Sequence, residues 1–232
     1  MNEETIMEFQ NPFKRLTKYE LILWITSLSV IAVSAIISGT DGILSTVASL
    51  IGVTALIFVA KGDVFGQILT IAFSIIYGII SFKFKYYGEM ITYVFMSAPS
   101  ALITAIAWLR HPYTAHEVRV DRLSKGKLIF TISASIIITI VFYFLLKALE
   151  TANLAVSTIS ILTSSLACIL LIFRSPYYAI AYSSNDIVLI ILWILATIEN
   201  IKYLPMILCF VMFLANDLYG FYNWRKMKKR QA

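Results

Sequence analysis

Residues 64–82, VFGQILTIAFSIIYGIISF, run from Asp63 to Lys83 without a charged side chain. A helix rises about 1.5 Å per residue and needs about 20 apolar residues to cross the hydrocarbon of a bilayer, so this stretch reads as a membrane span. On either side, seven more apolar windows follow the same rule, at about 21–39, 42–60, 88–109, 128–146, 153–173, 178–198 and 204–224. The first is too long for a signal-peptide core and ends in Ser38-Gly39 without an A-x-A site, so it counts as a retained helix. The whole chain agrees: 59% of its 232 residues are hydrophobic and 14% charged, with a mean hydropathy of +0.83, where a soluble domain carries about a quarter charged residues. Disorder, a soluble enzyme domain and a disulfide scaffold are excluded. The fold class is an all-α integral membrane protein of about eight transmembrane helices. Cys168 and Cys209 both lie in apolar runs and read as small buried hydrophobes.

Eight spans return both termini to one side. Fifteen of the nineteen Lys and Arg residues then fall on that side, including Lys61, Arg119, Arg174 and the run Arg225 to Arg230; only Lys83, Lys85, Lys147 and Lys202 fall opposite. Positive charge accumulates on the cytoplasmic face, so a multi-pass protein of the bacterial cytoplasmic membrane with both termini cytoplasmic is expected. The same placement accounts for the net charge of +6 without a nucleic-acid partner. His111 and His116 share the polar loop from Arg110 to Lys127 and are too isolated for a metal site. No cofactor is implied.

Sliding the chain on itself by 116 residues aligns Tyr77 with Trp193, Tyr87 with Tyr203, Met90 with Met206 and Trp108 with Trp224. The expected organisation is a cytoplasmic tail (1–20), an extra N-terminal helix (21–41), a three-helix repeat (42–110), a cytoplasmic loop with a linker helix lying between the repeats (111–150), a second repeat (151–224) and a basic cytoplasmic tail (225–232). Three helices plus one linker make the repeats parallel. Such pairs build transporters, with substrate near mid-membrane where the halves meet.

Ionisable groups inside a span are costly and usually face a partner or an aqueous path. Asp186 and Asp217 stand out, each preceded by an asparagine, Asn185 and Asn216. Both lie about 10 to 12 Å from the nearer end of their helices at 1.5 Å per residue. Helical spacing places Tyr182, Asp186, Trp193 and Thr197 on one stripe and Asn216, Gly220 and Asn223 on another. The earlier spans carry Gln67, Thr70, Ser74, Tyr77 and Ser81, then Glu89, Tyr93, Ser97 and Ser100. Polar stripes with interspersed rings suit a planar substrate that stacks and hydrogen-bonds at its edge. The substrate-binding candidates are Gln67, Tyr77, Tyr93, Tyr182, Asn185, Asp186, Trp193, Asn216, Asp217 and Asn223. Helix–helix packing by polar side chains is the alternative role for each Asn-Asp pair. No G-x-S-x-G, H-E-x-x-H or P-loop pattern occurs, and the surroundings of an intramembrane aspartyl protease are absent, so no enzyme activity is expected.

The run Asn216-Asp217-Leu218-Tyr219-Gly220-Phe221-Tyr222-Asn223-Trp224, with a weaker copy ending at Trp108, resembles the terminal helix of the PnuC family of vitamin and nucleoside transporters. The segment Val59 to Pro112, with Ala60-Lys61-Gly62 and Tyr86-Tyr87-Gly88-Glu89, resembles that family's first repeat, and the likeness covers about residues 42–226. It implies a SWEET-like core of two three-helix bundles with a linker helix. It also implies facilitated diffusion of nicotinamide riboside or a related nucleoside, trapped by a cytoplasmic kinase, from a homo-oligomer that is often a homotrimer.

One position departs from the pattern. Nicotinamide riboside members usually carry Trp-x-x-x-Asn where this chain has Tyr182-Ser183-Ser184-Asn185-Asp186: if Tyr182 replaces the Trp, Asp186 replaces the Asn, whereas if Asn185 is the counterpart the aromatic position is Ala181. An ionised Asp only accepts hydrogen bonds, whereas Asn donates as well. Such a carboxylate can counter the pyridinium of nicotinamide riboside or the thiazolium of thiamine, or accept donors from a nucleobase edge or a sugar hydroxyl. A deoxynucleoside therefore stands close behind nicotinamide riboside, with thiamine or another vitamin as an alternative and a non-transporting membrane scaffold as a different class. Neither repeat carries matched Gly/Pro interruptions, since Pro99 aligns with Ala215, so no sodium or proton gradient is expected to be required.

Overall fold

The computed structural model describes residues 11–37, 43–83, 90–151, 153–199 and 204–232. Eight helices cross or nearly cross the apolar layer: α1 (Lys18–Ile37), α2 (Ile43–Ala60), α3 (Val64–Lys83), α4 (Ala98–Leu109, continuing a π-helical turn Thr92–Ser97), α5 (Lys125–Ala148), α6 (Leu154–Ile172), α7 (Tyr178–Glu199) and α8 (Leu204–Arg230). Seven of these spans are long and apolar enough to cross a bilayer, and α2 contributes a shorter apolar helix. The π-helical turn has a local cause. Pro99 lacks the N–H that would close on Phe95, and the Ala98 N–H bonds back to Tyr93 instead.

The helices form a ring. α2 packs on α3, α3 on α4, α4 on α6, α6 on α7, α7 on α8, and α8 returns to α2. α1 covers the α2–α8 seam from outside, and α5 packs on α6. The linker helix thus flanks the ring instead of separating its halves.

Two turns close one end of the ring, and they are built alike. After α2, the Lys61 N–H bonds to Ile57 O, Gly62 to Val59 and Asp63 to Phe58; after α6, Phe173 bonds to Ile169, Arg174 to Leu171 and Ser175 to Leu170. The next helices start the same way, Gly66 on Asp63 and Tyr178 on Ser175. Each turn needs one left-handed residue, Gly62 (φ 69°) and Arg174 (φ 55°). These pairs are 112 residues apart, not 116. The longer interval holds for Trp108 and Trp224, whose indoles donate to the opposite turn, Trp108 to Leu171 O at 3.3 Å and Trp224 to Val59 O at 3.0 Å. The register therefore changes by four residues between the two turns and the last helices. Tyr77 and Trp193, aligned by a uniform 116, are not equivalent by these backbone bonds; the match of Tyr87 with Tyr203 lies outside the described residues.

The two indoles sit 5.4 Å apart, and Tyr178 stands edge-on to Trp224 at 4.9 Å. Around them Val59, Leu170, Leu171, Ala179 and Met227 complete a buried plug. A second apolar cluster, with Phe73, Leu189, Phe210 and Phe213, joins α3, α7 and α8. Close approach of α2 to α3 depends on Gly66, where a Cβ would stand 2.5 Å from the Val59 backbone nitrogen.

The described residues before α1 and after the apolar part of α8 make specific contacts. Phe13 packs on Trp24 and Phe58, and Thr17 with Glu20 forms a reciprocal cap at the start of α1. α1 therefore begins at Lys18. The basic end is the last turns of α8: Gln231 bonds to Val120 and Val118, and Arg230 pairs with Glu117, tying the helix to a hairpin of Pro112–Thr114 and Glu117–Val118. Those contacts extend α8 beyond its apolar window.

Glu20 is a buried acid that its place at the edge of an apolar window concealed. Its carboxylate accepts from Lys61 Nζ at 2.8 and 3.1 Å and from Tyr219 Oη at 2.7 Å, clamping α1 to α2 and α8. Trp24 Nε1 donates to Thr54 and Asn216 to Ser27 across the same seam. In the connecting loop, Asp121 receives Lys127 and Arg174.

Candidate functional site

The ring encloses a cavity of about 420 Å³, within the range of small-molecule sites. It begins beside Val59 and Leu171, next to the indole plug, and extends to Glu150 and Asn153 at the opposite end. All six ring helices contribute lining side chains. α3 supplies Gln67 and Ser74, α4 Tyr93 and Ser100, and α7 Tyr182, Asp186 and Trp193.

Seven of the ten candidates meet at this cavity: Gln67, Tyr93, Tyr182, Asn185, Asp186, Trp193 and Asp217. Three are placed elsewhere. Tyr77 packs beside the cavity wall, its ring 4.5 Å from Tyr93 and 5.5 Å from Phe73. Asn216 turns toward α1, donating to Ser27 Oγ at 3.1 Å and to Met212 O at 2.8 Å. Asn223 donates to Ala60 O at 2.9 Å and so caps the end of α2. Glu89 lies outside the described residues.

The polar atoms divide into satisfied and unsatisfied. Asn185 Oδ1 accepts from Ser160 at 3.0 Å and Thr163 at 2.9 Å, which fixes α7 against α6. Tyr182 Oη lies 3.2 Å from Cys168 Sγ. Asp186 and Asp217 interact side chain to side chain between α7 and α8. By contrast Gln67 Nε2, Ser74 Oγ and Asp186 Oδ2 are buried with no hydrogen-bond partner among the described residues, although each residue lines the cavity. Buried polar groups need partners. A donor on α3 and an acceptor on α7 are thus left for a polar guest or water.

Sequence reasoning passed over α6. Ser157, Ser160, Ser164 and Cys168 all line the cavity, and their spacing of three to four residues was the available signal. Cys168 is accordingly a cavity wall residue as well as a buried one.

A ring of membrane helices around a closed-ended, partly polar cavity is the architecture of a small-molecule transporter. The family model described as nicotinamide mononucleotide transporter matches residues 42–226, and the chain belongs to that family. It is 27% identical over 222 residues to the nicotinamide riboside transporter PnuC of Neisseria mucosa, covering 93% of this chain and 84% of that protein. The PnuC nicotinamide riboside transporter of Haemophilus influenzae is 22% identical over 212 residues, with 90% and 91% covered. A crystal structure of the vitamin B3 transporter PnuC superposes with a TM-score of 0.81 at 28% identity, covering 94% of each chain. The chain is a multi-pass membrane transporter and not an enzyme.

Proposed function

We propose that the chain carries nicotinamide riboside across the membrane through this cavity. The observation that carries the reading is the wall itself: an unpartnered amide donor, Gln67 Nε2, and an unpartnered carboxylate oxygen, Asp186 Oδ2, share a cavity with the rings of Tyr93 and Trp193. A flat ring with a carboxamide and a sugar offers both the acceptor and the donors such a wall requires. The names of the relatives point the same way. A deoxynucleoside is the second reading, because Asp186 stands where one register of the resemblance places an asparagine, so the substrate can differ from the family default.

Transport is facilitated diffusion, and phosphorylation in the cytoplasm retains the product. The two like-built turns and their crossed indoles support a division into two parallel three-helix halves, 42–110 and 151–224. Fifteen of nineteen basic residues on the terminus side support cytoplasmic termini. The exposed apolar face of α5, including Ile129, Ile137 and Phe144, is available to lipid or to another subunit of a homo-oligomer such as a trimer.

Uptake into liposomes containing only this protein, with nicotinamide riboside, thiamine and deoxynucleosides in parallel, tests the reading. Saturable entry of nicotinamide riboside to its equilibrium level is expected. Entry of deoxynucleosides alone would favour the second reading, and accumulation driven by an imposed pH or sodium gradient would refute facilitated diffusion. Asp186→Ala should weaken binding tenfold or more, about 1.4 kcal/mol, with the protein still reaching the membrane.

A further inference from the structure

Formal charge is distributed one-sidedly in the cavity. Its lining includes Asp186, Asp217 and Glu150, and among the described residues it includes no Lys, Arg or His. Asp186 is 3% and Asp217 4% exposed, and the two interact directly. The two carboxyl groups form the acidic pole of the chamber, and among the described residues no basic side chain of the wall balances it. The acids are more than a cluster, because Asp186 Oδ2 and, from the facing helix, Gln67 Nε2 are buried and unpartnered. A cation taken from water into an apolar chamber is strongly disfavoured unless a counter-charge waits there. Trp193 and Tyr93 line the same cavity, and aromatic rings attract positive charge.

We propose that Asp186, seated against Asp217, is a specificity-determining residue that makes the cavity prefer a ring bearing positive charge over a neutral ring of the same shape. The inference rests on the nicotinamide riboside reading and sharpens it: selection acts on the pyridinium charge as well as on shape and hydrogen bonding. Gln67 serves the polar edge of the guest, and the acidic pair serves its charge. A neutral nucleoside meets the same walls and leaves the pair without a counter-charge.

The test compares nicotinamide riboside with its reduced dihydro form, nearly equal in size and neutral at the ring, and with thymidine, by equilibrium binding to the purified full chain. The wild-type protein should prefer the cationic form at least tenfold. Asp186→Asn, close to isosteric, should cut that preference at least fivefold by weakening the cation while changing the dihydro form less than twofold. Asp217→Asn should lower the preference in the same direction. A wild-type preference below twofold overturns the inference whatever the variants do, and so does equal weakening of both forms by Asp186→Asn, which would make Asp186 a hydrogen-bonding or structural group. Binding of thymidine with neither riboside would overturn the substrate reading and this inference together, whereas ribosides bound without charge preference would overturn only the inference.

Discussion

Replacing Glu20 by Gln tests how firmly α1 is held to the ring. The carboxylate is 1% exposed and is surrounded by donors: Lys61 Nζ at 2.8 and 3.1 Å, Tyr219 Oη at 2.7 Å and the Thr17 N–H at 2.7 Å. Glutamine has nearly the same shape but turns one acceptor into an NH2 that must face a donor, and it strands the ammonium of Lys61. Removing one partner of a buried ion pair costs about 3–5 kcal/mol. The Lys61 side chain is 19% exposed, so water recovers part of its charge and the lower end, about 3 kcal/mol, is expected. For a chain of this size that is a fall of roughly 6–12 °C in the unfolding midpoint. Glu20→Gln combined with Lys61→Met removes the stranded charge and should recover at least half of the loss. Thermal unfolding of the purified full chain in detergent, followed by intrinsic fluorescence, measures both. A fall below about 2 °C, or a double variant no more stable than the single one, would refute the reasoning that this pair is a stabilising clamp.

Gly66→Ala should destabilise by about 1–3 kcal/mol, since the new methyl meets backbone atoms of α2 at 2.5 and 2.9 Å that cannot rotate away; unfolding midpoints check it. Trp224→Phe should cost about 2 kcal/mol, from the lost bond to Val59 O and a thinner plug. Trp108→Phe should cost less, because its bond to Leu171 is longer, 3.3 Å against 3.0 Å. A reversed order in the same assay would count against the plug as described. For Asp121, partial burial pushes the carboxyl up, but Lys127, the Arg122 N–H and Arg174 outweigh it and hold the carboxyl below its ordinary value. Its contribution is therefore present above about pH 4 and lost as pH falls through the lowered value. Asp121→Asn should lower stability at pH 7 by less than about 1 kcal/mol, with the difference from wild type shrinking in strong acid.

Hydropathy made the spans legible, because the cost of exposing backbone and charge to hydrocarbon is read residue by residue along the chain. Asp186 and Asp217 were legible for the same reason. Asn216 was harder. A helical stripe states which residues share a face but not which neighbour that face meets, and Asn216 meets α1, an element outside the repeated halves. Glu20 depended on a partner 41 residues away. The α6 serines lacked charge, so their helical spacing was the one signal they offered in an apolar run. The interval of 116 was carried by tryptophan and methionine near the ends of the halves, whereas 112 is carried by backbone bonds at two turns with little side-chain likeness, Gly62 against Arg174.

The crossed indoles have a consequence for ancestry. Trp108 reaches the turn at Leu171 and Trp224 reaches the turn at Val59, so element i of one half meets element j of the other, and j meets i. That is the rule of an isologous contact between identical subunits. A lone three-helix unit with one such turn and one such indole would be self-complementary, able to close only on a second copy of itself. Joining two such units through a helix placed like α5 would turn that twofold dimer into a single chain. The four-residue difference in register lies between the turn and the tryptophan, so it leaves both crossed bonds in place.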